Sequence, residues 1–235
     1  TYFYKKNKRI QNKKNNKKYN NYMFMTGGSL VLSTLSIVLY TQISNIFLAK
    51  FTSFADLGVY NVALTLGAAW NFINIALITS YFSKIYATSN NLVELRYLRQ
   101  IHWLIIFVTF SAMTGVFLFG SWGVSVLYGG GFIDAAKLLP FIVFATMLSA
   151  LGTISYRYMM KLNGYKYLSI KMLTVSLISI PLSYFSIQSY GILGAAYCFI
   201  VIELFSLTIA NYLFKNGCIL KMHLNVFGFK VKEII

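Results

Sequence analysis

Residues 168–214 read LSIKMLTVSLISIPLSYFSIQSYGILGAAYCFIVIELFSLTIANYLF. Two apolar runs flank one soft point, Ser189-Tyr190-Gly191. Each run alone approaches the ~20 mostly apolar residues that a helix needs to cross a bilayer. A three-residue break leaves no room for a loop, so the runs are expected to form an antiparallel helical hairpin. Unbroken apolar runs of this length are not the alternating ten-residue strands of a membrane barrel. Four similar segments precede the pair, which gives Met23–Lys50, Gly58–Ser83, Ile101–Tyr128, Ala136–Met160, Leu168–Gln188 and Gly191–Phe214. The expected fold is all-α, a polytopic membrane protein of six transmembrane helices over residues 23–214. A basic stretch, 1–22, precedes them, and a tail, 215–235, follows.

Composition agrees. The 235 residues are 57% hydrophobic, 17% aromatic and 11% charged, where a soluble domain carries about 25% charged residues. Mean hydropathy is +0.63. The net charge of +16 suggests a nucleic-acid binder until the charges are placed. Lys5, Lys6, Lys8, Arg9, Lys13, Lys14, Lys17 and Lys18 precede the first span, and nearly all the others fall between apolar runs or after the last. That is the pattern of loop charges, and no zinc-finger, RNP-like or heptad signal accompanies it. Nucleic acid is therefore not an expected partner.

Counting Lys and Arg by connection leaves only Lys50 and Lys137 on one side. Arg157, Lys161, Lys166 and Lys171 are assigned to the connection between the fourth and fifth spans on the other side. The positive side is cytoplasmic, so both ends of the chain are expected inside the cell membrane. The chain opens on Thr1 in a Lys/Asn-rich stretch with no signal-peptide core or cleavage site, and it is expected to continue a larger protein. Pro140 lies near the start of the fourth span, where a missing N–H is harmless, and Pro181 should kink the fifth. Cys198 and Cys218 are read as two separate thiols.

The chemistry-bearing signals are few. Ser29, Ser33, Ser36, Tyr40 and Ser44 share one face of the first span, with Thr34, Thr41 and Asn45 on a second line. The second span carries Asn61 and Thr65 on one line and Gly67, Asn71 and Asn74 on another. Such faces line a wet cavity or hold helices together, and three Asn on one span favour the cavity. Glu203 is the one acid inside a span, so it could carry a coupling proton or cation, or stay neutral or paired as a packing residue. The run Tyr128-Gly129-Gly130-Gly131-Phe132 lacks the Lys-Ser/Thr of a phosphate loop and reads as a turn. His102 and His223 have no ligand-spaced partners, so no metal or cofactor is expected. No Ser/His/Asp, Cys/His or paired-carboxylate pattern marks an enzyme.

Several strings are similar to a known family. Leu39-Tyr40-Thr41-Gln42-Ile43-Ser44-Asn45-Ile46-Phe47-Leu48, leading into Leu57-Gly58-Val59-Tyr60, resembles the seventh and eighth helices of Wzx-like O-antigen flippases. These are polysaccharide transporters related to multidrug and toxin extrusion carriers. Gly58, Tyr60, Ala63, Trp70, Phe72 and Ile73 stand at places of the family's eighth helix. Leu127-Tyr128-Gly129 with Phe132 and Ala135, and Gly191-Ile192-Leu193-Gly194-Ala195-Ala196, are similar to its later turns. The chain departs from the pattern at Gln42 and Ser44, where Arg and Asp are common, and at Thr65 and Ala68, where Arg and Glu are. Asn74 and Ser83 replace family prolines.

The resemblance implies the C-terminal half of a twelve-helix carrier. Its activity would be export of an undecaprenyl-pyrophosphate-linked oligosaccharide for O-antigen or capsule, by alternating access. It implies as partners the lipid-linked oligosaccharide, membrane lipid and an N-terminal six-helix half, and admits a polysaccharide polymerase complex as a further one. Tyr40, Gln42, Ser44, Asn61, Thr65, Asn71 and Asn74 are the candidate cavity residues, and Glu203 is the candidate for ion coupling. The competing readings are a small-amphiphile exporter, a membrane enzyme of envelope synthesis and a non-catalytic scaffold in an export complex. The enzyme would need large external loops bearing Arg, His or acids, and the longest offers only Asp134 and Lys137.

Overall fold

A computed structural model describes residues 2–229, with side chains described at residue 20 and from 22 onward. The basic side chains between Lys5 and Lys18, and Lys230 and Lys232, lie outside the described set. Eight α-helices follow one another: α1 (Tyr2–Phe51), α2 (Phe54–Gly67), α3 (Asn71–Ala87), α4 (Asn91–Tyr128), α5 (Ala135–Lys161), α6 (Tyr165–Leu207), α7 (Ile209–Tyr212) and α8 (Cys218–Val226). No strand occurs among the described residues. Among the described residues, four helices are long and apolar enough to cross a membrane, or five where the bent pair of α2 and α3 is counted as one span. The surface fits that reading. On α4, Phe107, Phe110, Phe117, Leu118 and Trp122 are each 67–73% exposed, an apolar face suited to lipid and not to water. The protein is an all-helical, polytopic membrane protein.

The long α6 is not one rod. Gly191 sits at φ 56°, ψ −132°, outside helical geometry. Ser186 Oγ donates to the Gly194 carbonyl at 2.8 Å, and Ser183 Oγ lies 3.1 Å from Cys198 Sγ. In a straight helix, residues 15 apart are separated by ~22 Å. Residues 165–190 and 192–207 are therefore two antiparallel arms, reversing where the sequence places its tight turn. Gly194 makes the reversal possible, because a Cβ there would stand 2.1 Å from the Ser186 carbonyl oxygen. The positive φ at Gly191 is a second glycine requirement within the same turn.

The expected second span, Gly58–Ser83, is instead two helices that meet at 43°. The break has a packing cause. At Gly67, α2 comes so close to α5 that a Cβ would lie 2.7 Å from Ile142 Cγ2. The chain then turns through Ala68–Trp70, and Trp70 Nε1 donates to the freed Gly67 carbonyl at 2.8 Å. Uniform apolarity hides such a break from a hydropathy reading. The start of α2 is well marked, since Ser53 and Asp56 form a reciprocal capping box.

Besides a small cluster of Tyr40, Val175, Cys198, Ile202 and Ala210, two larger apolar cores hold the bundle. One joins Leu48, Val59, Ala63, Val124, Leu138, Ile142, Ile187 and Ala195, around the first half of α5. The other joins Ile78, Phe82, Ile101, Ile105, Ile154, Met159, Leu168 and Phe214, around its second half. The first helix runs parallel to the first arm of α6. Ser169 Oγ donates to the Ser29 carbonyl at 2.6 Å, and further along, Phe51 meets the Tyr184 ring at 5.1 Å. Helix α8 docks on the second core through Ile219, Met222 and Val226, so much of the stretch expected as a tail is packed helix. The basic stretch before Tyr22 likewise continues α1 as helix.

Candidate functional site

Between α1, α3, α5 and the two arms of α6 lies a cavity of about 610 Å³. Its polar wall is built from Tyr40 on α1, Tyr86 on α3, Ser149, Thr153, Tyr156 and Arg157 on α5, Lys171 on the first arm of α6 and Glu203 on the second. Helical spacing explains the α5 contribution, since Ser149, Thr153, Tyr156 and Arg157 recur at steps of four, three and one on one side of that helix. Small residues keep the space open, with Gly152 in the same wall.

Glu203 is buried at 4% exposure and accepts a hydrogen bond from Tyr40 Oη at 3.0 Å. A buried carboxyl needs such donors, because burial without them is costly. Lys171 is equally buried, and its Nζ has no hydrogen-bond partner among the described residues. Its charge interacts with that of Glu203 without a bond between them. Tyr156 Oη donates to Ser33 Oγ at 3.2 Å, which ties α5 to α1 across the cavity. Tyr86 Oη donates to the Arg157 carbonyl at 3.1 Å, and the Arg157 guanidinium lies 5.9 Å from the Phe82 ring centre.

The residues singled out in the sequence divide between three places. Tyr40 and Glu203 meet in the cavity. Ser44 is buried, while Gln42 is exposed and accepts from Asn45 Nδ2 at 2.8 Å. Asn61 and Thr65 are exposed on α2, and each bonds a backbone carbonyl of its own helix. Asn74 is fully buried and pairs weakly with half-buried Asn71 at 3.4 Å, leaving Asn74 Oδ1 without a partner. Thr34 lines the edge of the cavity, while Thr41, Gln42, Asn45, Asn61 and Thr65 mark a polar line on α1 and α2, most of it at the surface of this bundle.

Two charged cavity residues were missed, along with Tyr86, Ser149, Thr153 and Tyr156. Arg157 and Lys171 were counted as loop charges, yet both fall inside the spans drawn from the sequence and both line the cavity. Their depth within Ala136–Met160 and Leu168–Gln188 was the available signal.

A second polar cluster lies beneath α8. His223 Nε2 is 3.1 Å from Ser155 Oγ, its Nδ1 is 3.2 Å from Tyr212 Oη, and its ring packs on His102 at 5.5 Å. Burial, reinforced by the charge of His102, pushes His223 down to about 3. It is therefore a neutral ring that pins α8 to α5 and α7. Lys161 pairs with Glu94 and links the end of α5 to the start of α4. No group of three or more His, Cys, Asp or Glu able to hold a metal occurs among the described residues.

A bundle of lipid-length helices around a cavity lined by two basic residues and one acid is a membrane protein with a charged interior. The family described as polysaccharide biosynthesis protein matches residues 2–137, more than half of the chain, and the chain belongs to that family. No curated protein matches it, and no solved structure does.

Proposed function

We propose that this chain is one half of an exporter that moves a lipid-linked oligosaccharide from the cytoplasmic to the outer leaflet of the cell membrane for surface polysaccharide synthesis. The observation that carries this reading is the cavity, where Arg157 and Lys171 stand beside Glu203 and three tyrosines inside a lipid-facing bundle. A pyrophosphate-linked sugar is anionic at the linkage and hydroxyl-rich beyond it. Cations and phenols are the groups that recognise those two parts. Family membership supports a role in polysaccharide biosynthesis. Alternating access moves such a substrate with no covalent chemistry, as two bundles rock about a shared site.

The reading takes the chain as six passes: α1, the bent α2–α3 pair, α4, α5 and the two arms of α6. The reversal at Gly191 supports the last two, and the charge count supports both ends in the cytoplasm. The partner is an N-terminal six-helix half. Exposed Gln42, Asn61 and Thr65 would otherwise meet lipid, where amides and hydroxyls are unfavourable. Expressed alone in a flippase-deficient strain, the chain is expected not to restore surface polysaccharide. Coexpression with a six-helix N-terminal half is expected to restore it. Restoration by this chain without any partner half would overturn the half-carrier reading.

Orientation has its own test. Cys218 is a poor reporter, because its thiol is buried and burial pushes it up, away from the reactive thiolate. Ser89 and Gly130 are both exposed and flank α4 at its opposite ends. Ser89→Cys is expected to react with a membrane-impermeant thiol reagent only in opened cells, and Gly130→Cys already in spheroplasts. The reverse pattern would invert the topology.

A further inference from the structure

Glu203 and Lys171 stand on the two arms of α6 and line one cavity, yet each is bonded to something other than its opposite charge or to nothing. Glu203 is held by Tyr40, while Lys171 Nζ is buried with no hydrogen-bond partner among the described residues. The titratable or charged groups that line this cavity with Glu203 are Tyr40 from α1, Tyr86 from α3, Tyr156 and Arg157 from α5, and Lys171 from the first arm. Phenols are neutral at physiological pH. The wall therefore holds two cations against one carboxyl. Its net charge is +1 when Glu203 is ionised and +2 when Glu203 is protonated.

We propose that this cavity binds an anion and a proton together, the anion on Lys171 and Arg157 and the proton on Glu203. An ionised Glu203 competes with an arriving anion for the field of Lys171 and repels it directly. A protonated Glu203 does neither. It still accepts the Tyr40 bond through one oxygen, and the other gains an O–H to donate. The protonated wall, at +2, matches a dianion such as a diphosphate diester, and the proton comes from solvent. Linkage makes the coupling reciprocal, so anion binding draws a proton onto the carboxyl as strongly as protonation favours the anion. The uncoordinated ammonium of Lys171 supplies the vacant donors that an anion needs.

This inference rests on the reading of the cavity as the place where the exported anion is held, and the two can fail separately. The probe is inorganic sulfate, a dianion whose own charge does not change between pH 5 and 8. Titration calorimetry of the purified chain in nanodiscs, repeated in buffers of different ionisation enthalpy, counts the protons taken up on binding. Uptake approaching one proton per sulfate is expected near pH 8, with affinity falling by roughly tenfold per pH unit on the alkaline side. Glu203→Gln mimics the protonated acid and should bind sulfate about tenfold tighter than the parent at pH 8, with proton uptake near zero. Lys171→Met should weaken binding by about tenfold or more. Sulfate binding with no proton uptake by the parent would overturn the coupling and leave the cavity reading standing. Uptake that persists in Glu203→Gln would move the proton elsewhere and overturn it too. No sulfate binding at any pH would overturn both.

Discussion

Lys171→Met is expected to reduce export of surface polysaccharide at least about tenfold while the protein accumulates normally in the membrane. A charge-assisted hydrogen bond to an anion contributes ~1.5–3 kcal/mol, or one to two orders of magnitude in binding. Lys171 Nζ makes no hydrogen bond among the described residues that Met would break, and Met occupies similar volume along an unbranched stem. The loss should therefore appear in transport and not in abundance. Quantifying surface polysaccharide against membrane-inserted protein in the same cells separates the two. Unchanged export would remove Lys171 from the substrate path and leave it a buried structural charge.

Gly194→Leu is expected to prevent stable folding. The ideal Cβ at this position stands 2.1 Å from a backbone oxygen, 2.6 Å from the carbonyl carbon of Ser186 and 3.0 Å from the amide of Ile187. None of these can rotate away as a side chain could, so the arms of α6 must separate. That separation also strains the Ser183–Cys198 and Ser186–Gly194 contacts. Overpacking of this kind costs about 3 kcal/mol or more. Gly115→Ala is the control, since nothing lies within 4 Å of a Cβ there and alanine favours helix. Detergent-extracted thermal stability should drop sharply for the first variant and hold or rise for the second. Equal stability of the two would show that the hairpin is open.

What the sequence revealed and what it hid follow from the kinds of information in a chain. Apolar length marks α1, α4 and α5 and both arms of α6, because a bilayer selects for little else over ~20 residues. The reversal near Gly191 was legible because three residues between two full-length runs admit only a hairpin. The acid of the site was legible too, since Glu203 stands alone among apolar neighbours. The bend between α2 and α3 was not, because its cause is Ile142, 75 positions away and pressed against Gly67. Arg157 and Lys171 were obscured by a rule that counts charges near span ends without asking their depth. Both lie a turn or less inside the spans, on the faces that turn toward Glu203. The exposed line from Gln42 to Thr65 was read as a cavity face. Within this bundle it is surface, and in the proposed carrier it would face the second half.

The proposed role of this chain is to carry a lipid-linked saccharide across the membrane. The most direct measurement is the leaflet distribution of that lipid in cells where the gene has been switched off. Spheroplasts are treated with periodate, an oxidant that does not cross the membrane, and the surviving lipid-linked saccharide is quantified. Complete lipid-linked repeat units should accumulate and resist oxidation, trapped in the cytoplasmic leaflet, and cells carrying only Lys171→Met should show the same block. Lipid-linked saccharide that reaches the outer leaflet at the normal rate without the gene, and is oxidised there, would contradict the account.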